Sequence, residues 1–251
     1  MSNPESEDRE QPLVAHLVEL RQRLLRAIAV LLGTFLLLVP FANDIYTMFA
    51  APLLKVLPPG ASMIATEVAS PFLTPIKLAF FVAVVISMPM TLYQAWAFVA
   101  PGLYRHEKRL ATPLLISSTL LFYLGCAFAY FLVLPVVFRF LTGIAPEGVA
   151  VMTDITHYLD FVMVLFLAFG ICFEVPVAVV ILVALNWVTI EQLKKARGYV
   201  IIGAFFLGAI LTPPDVISQI MLAIPMCLLY EVGIVAARLV VKKADTAEAT
   251  G

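Results

Sequence analysis

The sequence is short of charge. Only 13% of its 251 residues are Asp, Glu, Lys or Arg, against about 25% in an ordinary soluble domain. The net charge is −1, so no general basic field argues for nucleic acid, and any charged partner has to be met locally. Cysteine is scarce too: Cys126, Cys172 and Cys227 each fall inside an apolar run with no CxxC or Cys/His spacing. They read as small packing hydrophobes and not as metal ligands. His16, His106 and His157 are far apart along the chain, which leaves a metal site without a ligand set. HExxH, GxSxG and P-loop patterns are all missing, so catalysis and a cofactor have no sequence support. The opening MSNPESEDREQP carries four acidic groups and one Arg; it fits neither a secretory signal nor a transit peptide, and membrane entry is expected to come from the spans themselves.

What is abundant is apolar surface, at 62% of residues with a mean hydropathy of +1.01. A hydrocarbon layer about 30 Å thick takes about 20 apolar residues in a helix. Leu24 to Phe41, Pro75 to Ala100, Thr112 to Val136 and Tyr158 to Leu185 reach that length comfortably, and a last segment runs from Val216 to about Ala237. Between the last two lies Tyr199 to Leu211, only 13 residues before Thr212-Pro213-Pro214-Asp215 stops it. At 1.5 Å per residue that is about 20 Å, short of an average bilayer core. The fold class is therefore an all-α integral membrane protein of six transmembrane helices.

Lys and Arg are retained on the cytoplasmic side of a membrane. With six spans, 13 of the 16 basic residues fall on one side, in four clusters from Arg9 to Lys243, and only Lys55, Lys77 and Arg139 on the other. Both termini are expected inside. Residues 1–11 and 241–251 read as disordered, leaving 12–240 as the membrane domain. The outer segment from Ala42 to Thr74, with Pro52, Pro58-Pro59-Gly60 and Pro71, reads as short helices and turns that cap the outer face, because proline interrupts helices. Pro89, Pro176 and Pro225 inside spans are expected to bend their helices, with neighbouring groups taking the carbonyls they free.

Polar residues in this setting are the candidates for function. In HLVELRQRL, Leu13, Leu17, Leu20 and Leu24 follow helical spacing, which predicts a short amphipathic helix on the membrane surface before the first span. Its polar face carries Glu19 among Arg21, Arg23 and Arg26. One reading is an i,i+4 ion pair from Glu19 to Arg23; another joins Glu19 to Glu107, in the basic run Tyr104 to Arg109, as two carboxylates suited to guanidinium groups. Phe98 reads as an interfacial aromatic or as an apolar wall beside such a site. Glu174 lies deep in FGICFEVPVAVV, where a carboxyl is costly and marks a functional or water-lined site, or a neutral helix-to-helix hydrogen bond. Lys77 and Arg139 read as snorkelling side chains. Thr212, Asp215 and Gln219 bracket the short span, either as docking polar groups or as a cap, with Asp215 the N-cap of the last helix.

HLVELRQRL (16–24), MIATEVASPF (63–72), YQAWAFVAPGLY (93–104), HEKR (106–109), FEVPVA (173–178) and LTPPDVISQ (211–219) together resemble the TatC family, the multi-span component of the twin-arginine protein translocase, over about Pro12 to Val240. The resemblance implies a concave, glove-like bundle with an outer cap and short fifth and sixth spans, in a bacterial cytoplasmic membrane. It implies that Glu19 and Glu107, with Arg21 and Phe98, bind the paired arginines of a folded cargo's signal peptide. It also implies contact of Thr212, Asp215 and Gln219 with single-span TatA- and TatB-type subunits, a membrane pocket at Glu174, roles in function or assembly for Pro52 and Pro89, and self-association in a larger complex. From the residues alone, an ion-coupled small-solute transporter with Glu174 as its carrier carboxyl stands as the alternative.

Overall fold

The computed structural model describes residues 4–55, 63–99, 108–143, 152–211 and 216–248. It is all-helical apart from one isolated bridge between Ile64 and Asp154. In chain order the helices are α1 (Pro4–Leu38), α2 (Ala42–Leu54), α3 (Ser70–Val99), α4 (Lys108–Phe128), α5 (Leu134–Gly143), α6 (Ile155–Phe173), α7 (Val175–Ala184), α8 (Ile190–Lys195), α9 (Arg197–Leu211) and α10 (Val216–Glu248). A 3₁₀ turn over Val39–Phe41 leads into α2, and a π-helical segment over Ala129–Val133 joins α4 to α5. That π segment precedes Pro135, whose missing N–H interrupts the regular ladder.

Among the described residues, five stretches are long and apolar enough to cross a membrane: Leu17–Ala51, Ser70–Phe98, Thr112–Phe140, Ile155–Ala184 and Gln219–Val240. The last is the shortest of them at 22 residues, and the remaining apolar helix, Arg197–Ile210, falls below the spanning length. The chain is thus a multi-pass membrane protein in which α9, at 15 residues, is short of an average bilayer crossing. The surface helix expected before the first span does not exist as a separate element. From Leu13 to Leu32 there is neither Gly nor Pro, so nothing stops the helix, and amphipathic segment and span form one rod. Helix also continues from Pro4 and out to Glu248, into both terminal stretches that composition leaves unordered. At Pro176 the long span is interrupted at Glu174, between α6 and α7, whereas α3 and α10 run on through Pro89 and Pro225.

Helix α6 is the centre of the bundle: 56% of its spanning window is buried, against none for α1. Its Leu159, Val162, Leu165, Phe166 and Phe169 pack with Leu78 of α3, Phe122 of α4, and Leu134 and Val137 of α5. In lipid there is no hydrophobic gain from hiding apolar faces, so close van der Waals packing has to hold the helices together. Small residues permit it. A Cβ on Gly125 would lie 2.5 Å from the Phe169 carbonyl oxygen, so α4 and α6 approach backbone to backbone at that level. The exposed Leu, Ile and Phe residues of α1 and α9 are the surface expected against acyl chains.

At one end of the bundle the segments are tied by hydrogen bonds between residues distant in sequence. Asp154 Oδ1 accepts from the Thr156 and His157 N–H groups, 2.8 and 3.1 Å, as N-cap of α6. Its Oδ2 accepts from the N–H (3.0 Å) and hydroxyl (2.7 Å) of Thr66. The Ile64 N–H donates to the Thr153 carbonyl and the Ile155 N–H to the Ile64 carbonyl. The hydroxyls of Ser70, Thr74 and Thr156 bond one another below this knot. With α2 folded over it, this is the cap expected of the Ala42–Thr74 segment. The four donors hold the Asp154 carboxyl well below the usual carboxylate range, the Thr66 hydroxyl and N–H contributing most. At the opposite end, α7 closes with Asn186 in the left-handed region (φ 56°). The Asn186 and Trp187 N–H groups return to the Val183 and Leu182 carbonyls, a Schellman closure in which Asn is tolerated. Thr189 and Gln192 then form a capping box that starts α8.

Candidate functional site

Helices α1 and α3 lie side by side, and at the end remote from Asp154 they share a polar contact. Arg23 donates to a single oxygen of Glu19, Oε1, through Nε at 2.9 Å and Nη2 at 2.6 Å. Its Nη1 reaches Gln94 Oε1 on α3 at 3.5 Å, the outer limit of a hydrogen bond. Gln94 is buried, at 6% exposure, whereas the Glu19 side chain is 38% exposed. The i,i+4 pair therefore exists, and it is part of a chain of polar contacts from α1 into α3. Phe98 stands one helical turn beyond Gln94, half-buried, and Arg21 is exposed two residues from Glu19. Glu107 lies outside the described residues, so the expected meeting of the two carboxylates is not part of this geometry. The basic residues Arg21, Arg23 and Arg26 of α1, Lys194 and Lys195 at the end of α8, Arg197 at the start of α9 and Arg238 of α10 lie toward this same end of the bundle. Glu19 is a carboxylate set among cations.

Glu174 forms a second site. The break between α6 and α7 places its carboxyl against α4, where the Ser118 hydroxyl donates to Oε2 at 2.5 Å. The other oxygen, Oε1, is buried with no hydrogen-bond partner among the described residues. It borders a cavity of about 260 Å³ lined by Leu92, Ala95 and Trp96 of α3 and by Val177, Ala178 and Ile181 of α7. The apolar run alone puts Glu174 near mid-span. Its neighbours put it past the midpoint, level with Trp96 in the last turns of α3, in the same half of the bundle as Glu19. A buried acceptor left unmatched is costly, and here it points into a space large enough for a side chain or several waters.

At the α9–α10 hairpin, Gln219 donates through Nε2 to the Phe205 carbonyl at 2.9 Å. Its stem packs where Gly208 has no side chain, the built Cβ position falling 3.1 Å from Gln219 Cγ. Gln219 thus fastens the short helix α9 to α10. Thr212 and Asp215 lie outside the described residues, and so does the expected Asp215 cap. Pro52 lies in α2 and Pro89 in α3. Lys77, read as a snorkelling cation, is ion-paired with Asp160 across α3 and α6. Sequence reading missed Gln94, Ser118, Thr66 and Asp154. Their signal is a hydroxyl, amide or carboxyl inside or at the edge of an apolar run, which states a need for a partner without naming it.

The family model for "Sec-independent protein translocase protein (TatC)" matches residues 15–225. Proteins of that name from Haemophilus influenzae and Escherichia coli K12 are 57% and 58% identical, each over 95% of this chain and 93% and 92% of their own. One from Aquifex aeolicus is 40% identical over 92% of this chain and 97% of its own. A crystal structure described as the twin arginine translocase receptor TatC superposes with a TM-score of 0.77 at 41% identity, covering 89% of this chain and 98% of that one.

Proposed function

The chain belongs to the Sec-independent protein translocase (TatC) family, and from that premise we propose that its Glu19 end receives the paired arginines of a cargo signal peptide. It is a component of that translocase, a transport protein and not an enzyme. The observation that carries the receptor reading is the Glu19–Arg23 contact: the carboxylate already holds a guanidinium at two donor distances of 2.6 and 2.9 Å. An incoming arginine would meet the same acceptor in the same fork geometry, while Arg23 can retire toward Gln94. Glu107 supplies the second carboxylate, Phe98 the apolar wall, and Arg21 a flanking charge that orients the carboxylates.

Both termini and the Glu19 end face the cytoplasm of a bacterial inner membrane in this reading, supported by the 13 basic residues gathered there against 3 opposite. Single-span TatA- and TatB-type subunits dock along the α9 edge, with Thr212, Asp215 and Gln219 taking part in the contact. The short helix supports this, because a 15-residue α9 leaves the bilayer locally thin or partnered. Glu174, with one unmatched oxygen, serves partner rearrangement or local thinning during proton-motive-force-driven export; the solute-carrier alternative rested on this carboxyl alone and yields to the family. Pro52 and Pro89 serve assembly, several copies associating in the working complex. The test is site-specific crosslinking from positions 19, 98 and 107 to a twin-arginine peptide, with a twin-lysine peptide as control. Equal crosslinking of both peptides would sink the receptor reading.

A further inference from the structure

In an α-helix the carbonyl of residue i is closed by the N–H of residue i+4, and a proline at i+4 leaves it open. Pro89 leaves open the carbonyl of Val85, and Pro52 that of Met48. In this structure both are taken by tyrosine hydroxyls. Tyr123 of α4 donates to the Val85 oxygen at 3.1 Å, and Tyr130, in the π segment that extends α4, donates to the Met48 oxygen at 3.2 Å. Seven residues separate the tyrosines, about two helical turns, so they leave α4 on nearly one face. Inside a bilayer an open carbonyl has no water to turn to, which gives each hydroxyl a role that its ring cannot fill.

We propose that Tyr123 and Tyr130 are proline latches, and that Tyr123 is a positioning residue for the signal-peptide site. Tyr123 fixes α3 to α4 immediately before the turns that carry Gln94, Trp96 and Phe98. Gln94 receives Arg23, Trp96 walls the Glu174 cavity and Phe98 stands one turn beyond Gln94. The two helices joined by Tyr123 are also the two that flank the segment containing Glu107. Tyr130 performs the same chemistry at the other end, on α2 of the cap. The positioning role rests on the receptor reading above; the latch itself does not.

The rings pack independently of their hydroxyls, Tyr123 against Phe122 and Tyr130 against Phe49 and Phe166, so Tyr→Phe changes remove one donor and little else. Trp96 and Trp187 are the only tryptophans; Trp187 is 73% exposed, on the turn after α7. The full chain is labelled with 5-fluorotryptophan, placed in lipid nanodiscs, and examined by fluorine NMR and by titration with twin-arginine and twin-lysine peptides. Tyr123→Phe is expected to shift or broaden the Trp96 resonance, leave that of Trp187 in place, and weaken twin-arginine binding roughly three- to tenfold, as one lost hydrogen bond should. Tyr130→Phe leaves Trp96 and the peptide affinity unchanged. In a Pro89→Ala background, where residue 89 regains its N–H, Tyr123→Phe has no further effect on either signal.

An unmoved Trp96 resonance, or an equal effect of Tyr123→Phe with and without Pro89, overturns the latch. A moved Trp96 with unchanged peptide affinity overturns the positioning role. If the unmodified protein itself fails to prefer twin arginine, the receptor reading has failed, and the latch is judged on Trp96 and the Pro89 background alone.

Discussion

The two ends of the bundle are built differently. At the Asp154 end one carboxylate accepts four hydrogen bonds, two of them from Thr66, 88 positions away, and three hydroxyls interlock beneath it. At the Glu19 end the carboxylate is held by its own helix, and the link from Arg23 across to Gln94 of α3 is long, at 3.5 Å. A carboxylate with four matched donors has nothing left to offer a ligand. One held by a single guanidinium of its own helix can exchange it. The difference separates a saturated cap from a carboxylate with capacity to spare, and it can be attacked by changing one end at a time.

The largest effect is expected at the open end. Glu19→Ala should abolish export of a twin-arginine reporter while the protein remains in the membrane, with its stability changed by no more than about 0.5 kcal/mol, as for a surface substitution. Glu107→Ala should do the same. Full export with both residues changed, in a cell where the chain is the only protein of its kind, would break the comparison.

Next comes the middle, whose rigidity the comparison presupposes. Gly125→Val puts a Cβ 2.5 Å from the Phe169 backbone oxygen, which cannot rotate away. It should cost about 1–3 kcal/mol in unfolding experiments in detergent and should disturb both ends together. If only one end were affected, α4 and α6 would not be the common spine.

A smaller loss should follow from untying the cap. Asp154→Asn retains an acceptor oxygen for the start of α6 but leaves the Thr66 N–H without one, so it should lower thermal stability less than Asp154→Ala does. Both should leave signal-peptide affinity unaltered. The pH dependence has a definite sign. The carboxyl is held below its ordinary value, so its contribution is complete above the unfolded pKa near 3.9 and fades as pH falls toward the folded one. Acid should therefore erase the stability difference between the unmodified protein and Asp154→Asn. A difference that persisted undiminished below about pH 2 would mean that Asp154 acts by packing and not as a carboxylate.

Much of the open end was legible in the sequence, and little of the cap was. Apolar runs, the Thr-Pro-Pro-Asp stop and the clustering of Lys and Arg are local features, so the all-helical, multi-pass character and the shortness of α9 could be read directly. Glu19–Arg23 is an i,i+4 pair and is local as well. The Thr66–Asp154 bond, the Ser118–Glu174 bond and the Gln94 contact join segments 56 to 88 residues apart. Their sequence signature is an isolated polar residue, which specifies a demand for hydrogen bonds but not the donor that meets it. The missing break before the first span has a different cause. Amphipathic and fully apolar segments are both good helix formers, so a change of pattern without Gly or Pro does not end a helix.

The smallest predicted effect bears most directly on how the open end works. If Arg23 holds the place of a cargo arginine, an incoming guanidinium must displace it. Exposed i,i+4 ion pairs stabilise a helix by only about 0.3–0.5 kcal/mol, so the competition is weak, about a factor of two in affinity. Arg23→Gln should therefore tighten twin-arginine peptide binding about twofold, while leaving twin-lysine binding nearly unchanged. Had Arg23 instead served to orient Glu19 for its ligand, the same substitution would weaken binding. The sign of a small change thus decides between an occupant and a support.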